Sequence, residues 1–172
     1  HHRQQRTIKE ASSCTGVGLH TGVESKITFK PAPENYGIRF KRTDIKGSPA
    51  IKADINHVVD ISRGTTIEQN GVRIHTVEHA LAAVSGLRID NILIELTSKE
   101  TPVMDGSAKD FVEALHSSSQ ITQDANRRVL PIRNAVTYSD TVKEIDIHVI
   151  PSNRFRVTFM VDYPLPQLGT QY

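Results

Sequence analysis

The sequence predicts an α+β fold, with helices packed on one face of a mixed sheet, and three observations carry that prediction. Short β-rich apolar runs recur between Gly, Pro and Asn breakers. Two stretches, beginning near residues 76 and 105, switch to the 3.6-residue period of a helix. Beyond residue 127, four further β-rich segments follow with little helical signal. At 172 residues the chain has room for one ordinary domain, or for a domain and part of a second.

Composition narrows the function classes. The 21 basic and 19 acidic residues are interleaved, and no block of one sign would track a phosphate backbone, so nucleic acid is not favoured as a partner. The single cysteine, Cys14, has no partner for an internal disulfide. No apolar run approaches the roughly 18 residues that a membrane span needs, so the chain reads as soluble and cytosolic. His1 and His2 read as the remnant of a purification tag.

Each element follows from local pattern. In ESKITFKPAPENYGIRFKRTD, Ile27 and Phe29 alternate on one strand and Ile38 and Phe40 on the next, which predicts a β-hairpin across the Pro, Asn and Gly-rich connection. In RGTTIEQNGVRIHT, Asn70-Gly71 supplies the positive-φ pair of a tight two-residue hairpin turn. From Thr76 the apolar residues Val77, Ala80, Leu81 and Val84 fall on one helical face, with Thr76 as N-cap and Gly86 as the positive-φ residue that ends the helix. IDNILIEL, 89 to 96, reads as a buried strand.

Asp105 or Ser107 then caps a second helix that turns Phe111, Val112 and Leu115 inward. The Ser-Gln-rich stretch 117–127 reads as a linker. VLPI, AVTY, EIDIHVI and FRVTFMVDY read as the opening strands of a second domain. Neither a low-complexity tract nor a short-period repeat is present.

The chemistry concentrates in HTVEHALAAVSG, 75 to 86. Relative to Val77, Glu78 and His79 project about 100° and 200° around the helix, so neither points into the core. In the first turn the helix dipole favours an ionised carboxylate and a neutral imidazole, the forms that accept a proton from water and bind a metal. A first-turn Glu and a neighbouring solvated His are also ordinary helix-start residues, and both readings stand at this point.

His75-x-x-Glu78-His79 also matches the H-x-x-E-H pattern of zinc peptidases, which requires both histidines on one helix. The strand pattern of Val72 to Ile74 and the Thr76 cap instead make His75 the end of a strand, which weakens that reading. A catalytic zinc would then need its other protein ligands from elsewhere. A non-catalytic α+β binding domain, with the helix serving packing alone, is the third reading.

TVEHALAA with GLRIDNILIEL, TGVGLHTG at 15–22, FKPAPENYGIRFKRTD at 29–44 and PVMDGSA at 102–108 closely resemble the first half of bacterial UDP-3-O-acyl-N-acetylglucosamine deacetylases. The likeness runs in the same order, with nearly the same spacings, from about Arg6 to near Tyr172. It implies a cytoplasmic bacterial zinc amidase that removes acetate from a UDP-linked, 3-O-acylated N-acetylglucosamine in lipid A biosynthesis. It also implies two similar two-layer α/β sandwich domains with the site between them. On that basis residues 3–125 would be the first and 126–172 the beginning of the second.

Carried over residue by residue, the resemblance makes His79 a zinc ligand and Glu78 the general base. It sets His20 near the cleft, Ser62 to Thr66 in a loop beside it, and Asp162 and Tyr163 at the uracil, through a hydrogen bond and stacking. His20 between glycines also reads as a surface turn residue, and Tyr163 before Pro164 as a strand end. Asp105 reads as a turn or cap residue, and His57, His116 and His148 as solvated or hydrogen-bonded.

The family completes its zinc site from the second domain, with a His and an Asp four residues later, a Lys and a further His. No histidine here has Asp at i+4: His20 is followed by Glu24, His57 by Ile61, His116 by Gln120 and His148 by Ser152. The expectation is a chain that carries half a site, is inactive alone, holds zinc weakly, and exposes apolar surface that a C-terminal domain covers.

Overall fold

A computed structural model describes residues 4–172, so the tag expected at His1 and His2 lies outside the described residues. The chain divides after Arg127 into two compact units. In the first, β1 (Gln4–Ile8) is followed by β2 (Ser12–Val17), β3 (Glu24–Pro31), β4 (Ile38–Arg42) and β5 (Ile51–Lys52). Next come a 3₁₀ turn (Ile55–His57), β6 (Val58–Asp60), β7 (Thr66–Gln69), β8 (Val72–Ile74), α1 (Glu78–Gly86), β9 (Ile92–Leu96), α2 (Lys109–Ser117) and β10 (Gln120–Asn126).

The main sheet has the order β2-β3-β9-β4-β5 and is mixed, because β9 runs antiparallel to β3 and parallel to β4. The β-hairpin expected over 24–44 is therefore corrected: the two strands form but do not pair with each other. The apolar β9 enters between them, and Ile94 pairs with Phe29 on one side and Phe40 on the other. Phe40 pairs in turn with Ile51, so one fully buried row crosses four strands. Residues 32–37 bridge two strand spacings, about 10 Å, where a hairpin would bridge one.

The Asn70-Gly71 hairpin forms as expected. Ile67 pairs with Ile74 and Gln69 with Val72, and the turn residues have φ of 52° and 76°. With β6 it makes a three-stranded antiparallel sheet. The linker expected over 117–127 is corrected as well, since Gln120–Asn126 is β10, paired antiparallel with β1. Alternating half-exposed polar residues suit such a strand, and its partner lies more than 100 residues upstream, beyond any local pattern.

α2 packs on β2 of the main sheet and against α1, and the buried residues of both helices join the sheet in one hydrophobic cluster. From α2, Phe111 meets Phe29 edge to face, with ring centroids 6.1 Å apart. Phe111 and Leu115 are buried while Val112 is half-buried. Asp105 accepts from the Ser107 backbone and hydroxyl, and the Ser107 hydroxyl accepts from Lys109 N–H, so the two expected capping residues act in series.

Two details of α1 differ from expectation. Thr76 is not its N-cap: Val77 occupies that position without a side-chain cap, and Thr76 sits at φ 61° with its hydroxyl turned to Glu100. Gly86 is the last helical residue, and the left-handed residue that ends the run is Arg88, at φ 57°.

The second unit contains two antiparallel pairs. The first joins β11 (Val136–Asp140) to β12 (Ile145–Val149), and the second joins β13 (Val161–Asp162) to β14 (Thr170–Gln171). VLPI and most of FRVTFMVDY are not strands, a correction to the four segments expected. They lack any neighbouring strand here to take up their backbone N–H and C=O groups. No residue of this unit is buried.

Candidate active site

The site is built where β8 meets α1. After Ile74, His75 leaves the hairpin and forms a single parallel bridge with Glu100. His75 N–H donates to the Lys99 carbonyl, and Thr101 N–H donates to that of His75. Thr76 then reverses the chain, and α1 starts with Glu78. His75 and His79 therefore do not share a helix, and the geometry required by the H-x-x-E-H peptidase reading is absent.

Both Glu78 and His79 are half-buried at the helix mouth. One Glu78 oxygen accepts from Thr65 N–H at 3.0 Å. The adjoining Gly64 has φ 136°, and a Cβ placed there would lie 2.8 Å from the other carboxylate oxygen. Only glycine lets this loop come so near the acid. Among the described residues, no hydrogen bond or ion pair occupies the His79 ring.

A cavity of about 380 Å³ adjoins that loop, lined by His20, Thr21, Asp60, Ser62, Arg63, Gly64, Thr66, His75, Thr76 and Lys99. Gly64 thus lines the cavity and also approaches the Glu78 carboxylate. The His20 side chain is exposed, and its Nε2–H donates to the Arg63 carbonyl at 2.7 Å, tying the 18–21 turn to the loop. His75 Nδ1 shares a 2.9 Å hydrogen bond with the Thr66 hydroxyl. Burial lowers the pKa of His75, with Lys99 and Arg73 acting in the same direction and Glu100 against it.

Glu100 escaped the sequence reading. It is fully buried, and its carboxylate accepts from His20 N–H, Thr21 N–H and the Thr76 hydroxyl at 2.8 to 3.2 Å. Burial would raise its pKa. The Thr21 and His20 N–H groups and the Thr21 and Thr76 hydroxyls outweigh that and hold the carboxyl below its ordinary value. In the sequence it stands between Lys99 and Thr101 with nothing to separate it from a surface acid.

The other expected residues lie apart from this cluster in the chain. Asp162 and Tyr163 belong to the second unit: Asp162 accepts from the Thr170 hydroxyl at 2.8 Å, Tyr163 N–H donates to the Gly169 carbonyl, and both side chains are exposed. His57 is hydrogen-bonded to Asp54, and His148 to Thr137. Among the described residues no three His, Cys, Asp or Glu side chains converge as a metal site would require. The donor set suits zinc in kind, through the open His79 imidazole, but falls short of three protein ligands in number.

An α+β unit sets an adjacent acid and imidazole at a helix mouth beside a glycine-bearing loop, residue types that hydrolases use. The chain belongs to the UDP-3-O-acyl N-acetylglycosamine deacetylase (LpxC) family, whose profile matches residues 5–172. It is 51% identical over 168 residues to the bifunctional enzyme LpxC/FabZ of Chlorobaculum tepidum, covering 98% of this chain and 36% of that protein. The UDP-3-O-acyl-N-acetylglucosamine deacetylases of Myxococcus xanthus and Bdellovibrio bacteriovorus are 40% and 38% identical, each covering 97% of this chain and 52% and 55% of their own length. The chain thus spans between about a third and just over half of the curated relatives it matches. No helix among the described residues is long and apolar enough to cross a membrane.

Proposed function

We propose that this chain carries the first part of the active site of a zinc-dependent deacetylase acting on UDP-linked, 3-O-acylated N-acetylglucosamine in the bacterial cytoplasm, a step of lipid A biosynthesis. The observation that carries this reading is the Glu78-His79 pair. The acid is oriented by Thr65 N–H, and the imidazole beside it has no competing partner among the described residues. Relatives named as deacetylases support the reaction class.

His79 supplies one ligand, and the remaining ligands come from sequence beyond this chain. Bound zinc would polarise the acetamide carbonyl and acidify the attacking water. Glu78 accepts the proton of that water as its oxygen adds to the carbonyl carbon. It returns the proton to the departing sugar nitrogen as the C–N bond breaks, leaving acetate and a free amine. The Thr65 hydrogen bond fixes one carboxylate oxygen and leaves the other for this work. In the same reading His20 borders the substrate cleft, and Asp162 and Tyr163 take the uracil. With one zinc ligand, the chain alone holds the metal weakly and does not hydrolyse the substrate.

The test is acetate release by the full-length gene product with Glu78→Gln. The substitution is expected to lower kcat by about 10²- to 10⁴-fold, as loss of a general base does, while leaving the metal content intact. A variant with near-normal kcat contradicts the assignment. No hydrolysis by the unaltered protein would favour a non-catalytic binding domain.

A further inference from the structure

Two features around the α1 mouth are costly by themselves and make sense together. Glu100 is a carboxylate with no exposed surface, and no cation forms an ion pair with it among the described residues. Burying an ion without a counter-charge requires strong hydrogen bonding in compensation. Thr76 is a β-branched residue at φ 61°, a conformation such residues avoid and hold only when their surroundings over-determine it.

The same contacts account for both. The Thr76 hydroxyl donates to Glu100 at 2.9 Å, and its carbonyl accepts from the Thr101 hydroxyl. The His20 and Thr21 backbone N–H groups also donate to Glu100, from a segment remote in sequence from Thr76. Gly18 seals the arrangement, because a Cβ there would fall on the Glu100 carboxylate. Val77 N–H, one residue on, donates to the Thr65 carbonyl, while Thr65 N–H holds Glu78.

We infer that Glu100 is a positioning residue. Acting through the strained Thr76, it sets the direction in which α1 leaves the sheet, and through His20 and Thr21 it locks the 18–21 turn to the same point. Glu78 and His79 are thereby held in register with the loop that orients the acid. This inference rests on the proposed deacetylase reading for its catalytic consequence. Glu100 itself touches no reacting atom in that reading.

The test uses the full-length gene product with Thr76→Val, which keeps the shape and removes the hydroxyl, and Thr76→Ser, which restores it. Thr76→Val is expected to lower kcat by about 10- to 100-fold with KM changed by less than about threefold, and Thr76→Ser to recover most of the loss. In the zinc-free protein, amide NMR signals of His20, Thr21, Glu78 and His79 should shift together in Thr76→Val and stay near their original positions in Thr76→Ser. Glu100→Ala should reproduce the Thr76→Val pattern more strongly; if it does not fold, the Thr76 pair decides alone.

Unchanged kcat in Thr76→Val, with the unaltered protein active, overturns the inference. So does an amide response confined to residues 75–77. An unaltered protein that releases no acetate overturns the deacetylase reading instead, and the amide shifts still judge the positioning role.

Discussion

Residues up to Arg127 and those after it are both rich in strand-forming sequence, yet only the first region encloses a core. In the first, Phe29, Phe40, Ile94 and Phe111 are wholly buried between the sheet and two helices. In the second, the β11-β12 pair gathers its apolar side chains on one face, with Asp140 at the end of that row. Val136, Tyr138, Ile147 and Val149 line one side, and Thr137 with His148 and Ser139 with Asp146 bond on the other. The apolar side is nonetheless open, with Tyr138 57% exposed. Alternation writes a strand, but a strand is stable only when a second layer takes its apolar face.

The largest test of that contrast is amide hydrogen exchange. Amides of β3, β4 and β9 should open only through global unfolding, whereas those of β11 and β12 should exchange through local opening, about 10³-fold faster or more. Equal protection in the two regions would break the comparison. A smaller effect comes from side-chain truncation measured by denaturant unfolding, each variant followed by amide signals of the region that carries it. Phe111→Ala should cost about 3 to 5 kcal/mol, the price of a cavity in the core. Tyr138→Ala should cost less than about 0.5 kcal/mol, and similar losses would mean that the second region has a core after all.

Acid gives the smallest effect and tests the buried polar groups. His75 folds with a lowered pKa, so the unfolded chain takes up its proton first, and stability falls as pH drops through the ordinary imidazole range. Glu100 also folds with a lowered pKa; its contribution is complete above the ordinary carboxylate value and is lost as pH falls through the folded one. Each group changes stability by at most about 1.4 kcal/mol per pH unit. Thermal melts of the first region from neutral pH down to about pH 2 should therefore decline in two stages, the first through the imidazole range and the second below the ordinary carboxylate value, and a flat profile would contradict the shifts.

What could be read from sequence was local. Asn70-Gly71, the helical face of α1 and the inward Phe111 and Leu115 all follow from neighbours a few residues apart. The misreadings were non-local: β9 enters between β3 and β4 from 50 residues downstream, and β10 finds β1 across the whole first unit. The Glu78-His79 pair was legible because helix position and residue chemistry coincide in one turn. Glu100 was not, because its importance lies in donors contributed by residues 20, 21 and 76. Thr76 misled for the same reason, since its hydroxyl prefers that distant acid to the helix it precedes.

Zinc content of the full-length gene product tests the functional account most directly. The account predicts one zinc per protein, lost in His79→Ala and retained in His75→Ala. Stoichiometric zinc in His79→Ala would contradict it.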